Sequence, residues 1–423
     1  MKKKYNSLKH STFVIVSSKM LCLILVLMLL FMNGLAQTAY ITNQNDNTVS
    51  VIQVSTNHII ATIHVGGFPQ AVSVSSDGGK VYVGNYNDAT VSVINTATNT
   101  VTATLPTGIN PQGVCVSPDG SKIYVTNSGE SSVKVINTIT HAGIATVQVG
   151  PGPVGIAVTP DGSKVYVANY NYNDVSVINT STNTVSSTIT VGSGPLGICV
   201  SPDGAKVYVT INSIDSVSII NVSNDSVIGK IGVGASPVGI TVSPDGNRVY
   251  VANQYSNSLS IINGVADTVL STLGVGNLPA GISITPDGGK VYVANDQDNT
   301  VSIINTAVDT VSTTVSVGAH PIAMGNFIST YTSTASIPCS RFESDGITIY
   351  PNPATSILTF HSQLSTLNSQ LLITDIMGNE VYKETTNGID NNIDISNLSN
   401  GVYFYQINSE KGIVGKGKFV VIK

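Results

Sequence analysis

The protein has 423 residues with 19 basic and 24 acidic side chains, so that only 10% of the chain is charged while 42% is hydrophobic. It also contains 39 glycines and no tryptophan. This composition argues against coiled coils, helical bundles and charged disordered chains, which are rich in Ala, Glu, Lys and Leu. Without a basic excess, nucleic acid is not an expected partner. We expect an extended all-β protein with more than one core.

The N-terminal segment 1–36 has the pattern of a signal peptide. Five lysines precede the apolar run Met20 to Met32. Its 13 residues cover about 20 Å as a helix, short of the roughly 30 Å hydrocarbon core of a bilayer. A signal peptide is therefore predicted rather than a membrane anchor, and the mature chain has no predicted transmembrane segment. The small residues Gly34 and Ala36 place the predicted cleavage before Gln37. Removing the five lysines leaves 14 basic and 24 acidic residues, a net charge of −10.

A repeat of 42 residues follows, without insertions. Three features recur in register: an Asp-Gly pair, a tyrosine in a β-rich run, and a proline. The aspartates are Asp77, Asp119, Asp161, Asp203, Asp245 and Asp287; the tyrosines are Tyr40, Tyr82, Tyr124, Tyr166, Tyr208, Tyr250 and Tyr292; the prolines are Pro69, Pro111, Pro153, Pro195, Pro237, Pro279 and Pro321. Such a period indicates a repeat architecture.

Each repeat is predicted to form four short antiparallel strands, A to D. In the repeat that begins at Pro153, the alternating β-branched segments are Val154–Val158, Lys164–Asn169, Val175–Asn179 and Val185–Val191. Pro-Asp-Gly and Asn- or Thr-rich turns separate them. Four strands at a period near 42 residues are typical of a β-propeller blade.

The two ends of the array are offset. The first copy enters at strand B, around Tyr40, and the last stops after strand A, at 321–327. The N-terminal B, C and D strands and the C-terminal A strand are therefore predicted to complete one blade. The sequence thus predicts a seven-bladed β-propeller of four-stranded blades over residues 37–329, closed by an N/C-terminal clasp.

The words Tyr124 to Asn127 (YVTN), Ser117 to Gly120 (SPDG) and Val133 to Asn137 (VKVIN) resemble the YVTN family of β-propeller repeats of bacterial and archaeal surface proteins. The resemblance extends from about Gln37 to Ser329. One repeat departs from the motif, with Ile211 where the motif asparagine stands in the other copies.

Beyond a Ser/Thr-rich linker at 330–346, residues 347–423 are predicted to form a small C-terminal β-sandwich. Strand candidates are 347–350, 357–360, 371–375, 380–383, 402–407 and 418–422.

The words YPNPA from Tyr350, TDIMG from Thr374, LSNGVY from Leu398 and KFVVIK from Lys418 resemble the C-terminal sorting domain of the type IX secretion system (the Por secretion system) of Bacteroidetes. The resemblance implies partners in the outer-membrane translocon and its sortase. It also implies a protein attached to the outer-membrane surface or released outside the cell.

Strand parity predicts that the loops from strand D to strand A and those from B to C open on one face of the disc. Around the periodic proline this face offers no carboxylate and one histidine, His320. An axial metal needs several converging ligands, so we expect no catalytic residue and no metal site there. His64 is placed to join His320 across the clasp, but neither has an evident acidic partner.

The B–C loops carry the better ligand-binding candidates. Exposed tyrosines beside Asn and Asp can stack on sugar rings and hydrogen-bond to hydroxyls, and carboxylates could hold Ca²⁺; no other cofactor is expected. Together with His320 the candidates are Asp46, Tyr86, Asp88, Tyr170, Tyr172, Asp174, Tyr255 and Asp298. The alternative is that Asn and Asp are simply favoured in turns.

Two further sets of residues are expected to be structural. Cys115 and Cys199 lie two blades apart, so they should stay unpaired. The basic residue that follows each Asp-Gly aspartate by three positions is interpreted as a surface partner of that aspartate, of small energetic value. These residues are Lys80, Lys122, Lys164, Lys206, Arg248 and Lys290.

Two functional hypotheses remain open. The first is a secreted or cell-surface propeller that is not an enzyme and acts as a binding scaffold for a glycan, a surface polymer or a protein. The second is a propeller enzyme, either a metal-dependent, lactonase-like hydrolase or a quinoprotein-type enzyme, which would use the same channel mouth. It rests on fold analogy.

Overall fold

The structure is a computed structural model that describes residues 37–329, 347–350, 356–362, 369–375, 379–386, 390–399, 401–409 and 412–421. The chain divides into two compact units, Met1–Thr334 and Ala335–Lys423. The predicted signal peptide and the linker lie outside the described residues.

The first unit consists of consecutive antiparallel sheets. Blade 1 contains β1 (Thr38–Asn43), β2 (Thr48–Gln53) and β3 (His58–His64). Blades 2 to 7 each have four strands in chain order. Their bounds are β4 (Pro69–Val74), β5 (Lys80–Asn85), β6 (Thr90–Asn95), β7 (Thr100–Pro106); β8 (Pro111–Val116), β9 (Lys122–Asn127), β10 (Ser132–Asn137), β11 (Gly143–Gln148); β12 (Pro153–Val158), β13 (Lys164–Asn169), β14 (Asp174–Asn179), β15 (Thr184–Thr190); β16 (Pro195–Val200), β17 (Lys206–Ile211), β18 (Ser216–Asn221), β19 (Ser226–Gly232); β20 (Pro237–Val242), β21 (Arg248–Asn253), β22 (Ser258–Asn263), β23 (Thr268–Gly274); β24 (Pro279–Ile284), β25 (Lys290–Asn295), β26 (Thr300–Asn305) and β27 (Thr310–Ser316).

The predicted clasp is confirmed. Residues 321–329 lie antiparallel to β1, with bridges that pair Ala39 with Ile328 and Asn43 with Pro321. The Tyr40 amide donates to the Phe327 carbonyl at 2.9 Å. The C-terminal segment therefore supplies the fourth strand of blade 1, and the ring closes at seven blades.

The periodic tyrosines form the contacts between blades. All seven are at most 1% exposed, and each lies on strand B of its blade, the second strand from the axis, which in blade 1 is β1. In blade 4, Tyr166 belongs to one hydrophobic cluster with Ile198 and Val207 of blade 5. The outermost strands instead alternate between exposed and partly buried residues, as in β15. The core thus lies between adjacent blades, which accounts for the repeated β-branched and tyrosine pattern.

The periodic basic residues affect most of the turn aspartates only weakly, since their charge is a minor cause of the lowered pKa of those carboxyl groups. Their hydrogen bonds go instead to the next blade. Each begins the second strand of its blade, on the same side as the tyrosine two residues later, which faces the next blade. Lys164 Nζ and Tyr166 Oη both bond to Asp225 in the C–D turn of blade 5, at 2.9 and 2.6 Å. The corresponding bridges are Lys206 to Asp267, Arg248 to Asp309 and, to an amide oxygen, Lys290 to Asn57.

Glycines of the innermost strands set the approach of the blades to the axis. A Cβ added to Gly155 would lie 2.1 Å from the Leu196 carbonyl oxygen of the next blade, and one added to Gly197 would lie 2.1 Å from that of Val238. At this level the axial space is only about 50 Å³. The channel is therefore constricted midway, with separate mouths on the two faces.

The second unit has two sheets. One contains β28 (Ile347–Tyr350), β29 (Ile357–Ser362) and β32 (Asp390–Asp394); the other contains β30 (Ser369–Thr374), β31 (Glu380–Thr386), β33 (Gly401–Ser409) and β34 (Gly412–Val421). Phe360 and Ile393 of the first sheet share a hydrophobic cluster with Ile373 and Tyr405 of the second. This arrangement confirms the predicted sandwich. Strand β32 was not predicted, because its sequence, DNNID, has little β-propensity.

Candidate ligand-binding face

The D–A loops and the B–C loops lie on one face of the propeller, here called the upper face, and they hydrogen-bond to each other. The backbone N–H before the periodic proline donates to a side-chain oxygen in the preceding blade's B–C loop. Examples are Phe68 to Asn47 Oδ1 at 2.8 Å and Ser236 to Asp215 Oδ1 at 2.8 Å. Asn47 and Asp215 have positive φ, which Asn and Asp tolerate better than most residues. The loop composition therefore follows in part from backbone geometry.

The candidate carboxylates of the B–C loops bond to the loops around them. Asp46 Oδ2 accepts the Ala319 N–H, Asp88 Oδ2 accepts the Gly67 N–H and Asp298 Oδ2 accepts the Asn277 N–H, each at 2.7 Å. Asp174 does not lie in the loop as predicted: it is the first residue of β14, it is buried, and it accepts a hydrogen bond from Asn169 Nδ2 at 2.6 Å. Among the described residues, no three His, Cys, Asp or Glu side chains gather as a metal site requires.

His320 has an acidic partner, which the sequence interpretation missed. Its Nδ1 lies 3.0 Å from Asp296 Oδ1. The two side chains are 46% and 18% exposed. Asp296 fixes the orientation of the imidazole, as the carboxylate does in histidine-based catalytic sites. His64 ends β3 and is exposed.

A central depression of about 300 Å³ forms the upper mouth of the channel. Its polar lining consists of four half-buried glutamines and Tyr170: the glutamines are Gln44, Gln70, Gln112 and Gln254. Aliphatic side chains of the D–A loops complete it, among them Leu196 and Ile322. Within the part of the chain that the structure describes, no charged side chain lines it. Sequence reasoning missed the glutamines, although they follow either the motif asparagine or the periodic proline.

The four candidate tyrosines divide into two pairs. Tyr86 and Tyr170 line a second depression of about 330 Å³, and Tyr170 also lines the central one. Tyr172 and Tyr255 are 66% and 71% exposed and line neither. The structure therefore brings two of the four into a common site.

The lower face has a different character. Its mouth, of about 360 Å³, is lined mainly by small and aliphatic residues and includes Cys115 and Cys199, which are unpaired as predicted. Burial raises the pKa of both thiols well above the usual range, so neither is a reactive thiolate. In the adjacent Asp-Gly turns, hydrogen bonds, first from Ser117 Oγ, lower the pKa of Asp119 to about 2.

Two protein families match parts of the chain. Residues 348–423 match the secretion system C-terminal sorting domain. Residues 180–274 and 236–329 match the family described as lactonase, 7-bladed beta-propeller. No curated protein matches the chain. Within the described residues, no helix has the length and hydropathy needed to span a membrane.

Solved structures with the same fold include hydrazine synthase from Kuenenia stuttgartiensis, which is 22% identical with a TM-score of 0.60 and covers 64% of this chain and 93% of its own. A functionally unknown protein from Desulfotomaculum acetoxidans is 17% identical with a TM-score of 0.60, covering 68% of this chain and 99% of its own. These identities show the propeller fold alone. The chain is a β-propeller protein with a type IX secretion system C-terminal sorting domain, a label for export to the cell surface or beyond.

Proposed function

We propose that the exported protein is a binding scaffold and not an enzyme, and that its upper face holds an extracellular ligand: a glycan, a surface polymer or a protein. The observation that carries this proposal is the central depression, with its four glutamine side chains and aliphatic floor. Pockets that combine apolar walls with a few polar groups are typical ligand sites. Each glutamine amide both donates and accepts hydrogen bonds, which suits a ligand with hydroxyl or amide groups.

The loops around the depression are fixed before a ligand arrives. The D–A loop at Gly67 and Phe68 is bonded to Asp88 on one side and to Asn47 on the other. A preorganised site loses little conformational entropy on binding, so more of the contact energy appears as affinity. In this proposal the B–C carboxylates build the site, and binding needs no cofactor, calcium included.

The sorting domain supports the location of this function. Residues 348–423 match a domain that interacts with secretion machinery. We propose that the translocon recognises this domain and that a sortase removes it as the propeller is attached or released. The ligand would then be met at the outer-membrane surface or outside the cell.

The proposal is tested by screening the mature exported protein against immobilised glycans, surface polymers and extracellular proteins. A hit should weaken in the double variant Gln70→Ala with Gln254→Ala, because both amides line the central depression. Asn224→Ala, in an exposed C–D turn of the lower face, is the control. Equal binding by the wild type and the double variant would contradict the upper-face assignment.

A lactonase-like hydrolase is the second candidate, favoured by the match to the lactonase family and by the pair formed by His320 and Asp296. An oriented imidazole can act as a general base. The purified protein should then hydrolyse lactones, and His320→Gln should abolish that activity while leaving any ligand binding at the depression in place. Metal analysis of the same sample tests whether this hydrolase would be metal-dependent.

A further inference from the structure

We propose that the ligand of the upper face is an uncharged oligosaccharide, and that it extends from the central depression into a cleft between Tyr86 and Tyr170. This inference rests on the proposed function and assigns its ligand class and its path. The second depression, of about 330 Å³, is this cleft. It shares Gln112, Val154 and Tyr170 with the central depression, so the two form one continuous site.

The cleft arises from a break in the sevenfold symmetry. The first residue of each B–C loop forms a ring around the mouth, and only blades 2 and 4 place an aromatic side chain there. The ring is Gln44, Tyr86, Ser128, Tyr170, Asn212, Gln254 and Asp296. Ser128 stands in blade 3 between the two tyrosines and is followed by Gly129, which also lines the cleft. Small residues between two large aromatic ones leave a slot that leads outward from the mouth.

Both tyrosines rest on neighbouring loops. The Tyr86 ring contacts Phe68, with ring centroids 5.9 Å apart at 57°, and the Tyr86 amide donates to the Phe68 carbonyl at 3.1 Å. The Tyr170 amide donates to the Gly152 carbonyl at 2.9 Å. Gly194 lies beside the Tyr170 ring, and a Cβ added to this glycine would lie 3.3 Å from Cε2 of that ring. Tyr170 is still 38% exposed. The walls are therefore preformed but accessible.

The chemistry of the cleft fits a sugar. An aromatic ring offers an apolar face to the C–H groups of a pyranose while the tyrosine hydroxyl stays available for hydrogen bonds. Amides of Asn110, Gln112 and Asn171 line the same cleft and can pair with sugar hydroxyls. Together the two depressions have the size of an ordinary ligand pocket, about 300–1,000 Å³.

Electrostatics favour an uncharged ligand. None of the described residues that line the two depressions has a charged side chain. The propeller, residues 37–329, carries 8 basic and 16 acidic residues, so its net negative charge repels polyanions such as uronic acid polymers. Asp46, Asp88 and Asp298 already accept loop N–H groups outside the cleft.

The test is titration of the mature exported protein with neutral gluco-, manno- and xylo-oligosaccharides of increasing length, and with oligogalacturonate as the charged comparison. Affinity should rise with chain length for a neutral series. Tyr86→Ala and Tyr170→Ala should each weaken it about fivefold to tenfold, which is the expected scale of one lost aromatic contact. Tyr172→Ala and Tyr255→Ala remove exposed tyrosines of the same face outside the cleft, so they should leave the affinity unchanged. Ser128→Trp should fill the slot and weaken binding without loss of fold, checked by circular dichroism.

Several results would overturn the inference. If a neutral series binds but all four tyrosine variants match the wild type, the cleft is wrong while the proposed function stands. If oligogalacturonate binds as tightly as the neutral sugars, the ligand class is wrong. The ligand class is also wrong if a protein is the only ligand whose binding weakens in the double variant Gln70→Ala with Gln254→Ala. If no ligand binds the upper face, both the inference and the proposed function fail.

Discussion

Replacement of Asp225 tests whether the bridges between blades stabilise the ring. Asp225 accepts Lys164 Nζ at 2.9 Å and the hydroxyl of the fully buried Tyr166 at 2.6 Å. Burial and then the hydrogen bond to Asp225 raise the pKa of Tyr166 far above its usual value, so the phenol remains a donor. Asp225→Ala leaves that hydroxyl without this acceptor. Asp225→Asn keeps an acceptor oxygen, as Asn57 does for Tyr292.

A hydrogen bond to a charged group contributes about 1.5–3 kcal/mol. Two such bonds set an upper limit of about 6 kcal/mol on the stability that Asp225 contributes. The Lys164 and Asp225 side chains are 26% and 16% exposed, so water can take over part of these interactions and the loss is smaller than that limit. We expect Asp225→Ala to lower the free energy of unfolding by about 2–4 kcal/mol and Asp225→Asn by about 1 kcal/mol. Guanidinium unfolding of the purified mature protein measures both. If the two variants lose the same stability, or if Asp225→Ala loses under about 0.5 kcal/mol, the bridge does not act as described.

Three further predictions concern the axis, acid and export. Gly155→Ala should destabilise the propeller by more than about 2 kcal/mol, since the new Cβ would lie 2.1 Å from the Leu196 carbonyl oxygen. Gly232→Ala is the control and should leave the stability unchanged, because its new Cβ would have no atom within 4 Å. Similar urea midpoints for the two variants would contradict this prediction. The pKa of Asp119 is lowered to about 2, so its contribution to folding stability is fully present above the unfolded pKa near 4 and is lost as the pH falls towards 2. Asp119→Asn should therefore flatten the dependence of the urea midpoint on pH between about 4 and 2. An unchanged slope would count against this prediction. Deleting residues 347–423 should leave the protein in the periplasm, and cell fractionation that finds the truncated form on the surface would refute the sorting role.

Most of the fold could be predicted from sequence because the repeat multiplies every local signal. The strand Lys164–Asn169 was predicted at its observed bounds, and the others of that repeat to within one residue. Cross-blade contacts could not be predicted in this way. Lys164 is near Asp161 in sequence, yet its partner Asp225 lies in the next blade. Only the packing of two repeats reveals that pairing.

The site was harder to predict than the fold. The tyrosines stood out in the sequence, but their loops do not show that Tyr86 and Tyr170 share a cleft while Tyr172 and Tyr255 do not. That distinction depends on the small Ser128, which lies in space between Tyr86 and Tyr170. The glutamines of the mouth were missed because each lies in a different repeat and converges with the others only when the ring closes.

The glycine constriction on the axis makes the two faces independent compartments. A ligand held in the upper mouth must enter and leave by the same opening, since the axial space at the constriction, about 50 Å³, is several times smaller than an ordinary ligand pocket of about 300–1,000 Å³. Each face of the disc thus has its own depression, and the axis is not a passage for a ligand between them. The lower turns can consequently vary in sequence without altering what the upper face recognises.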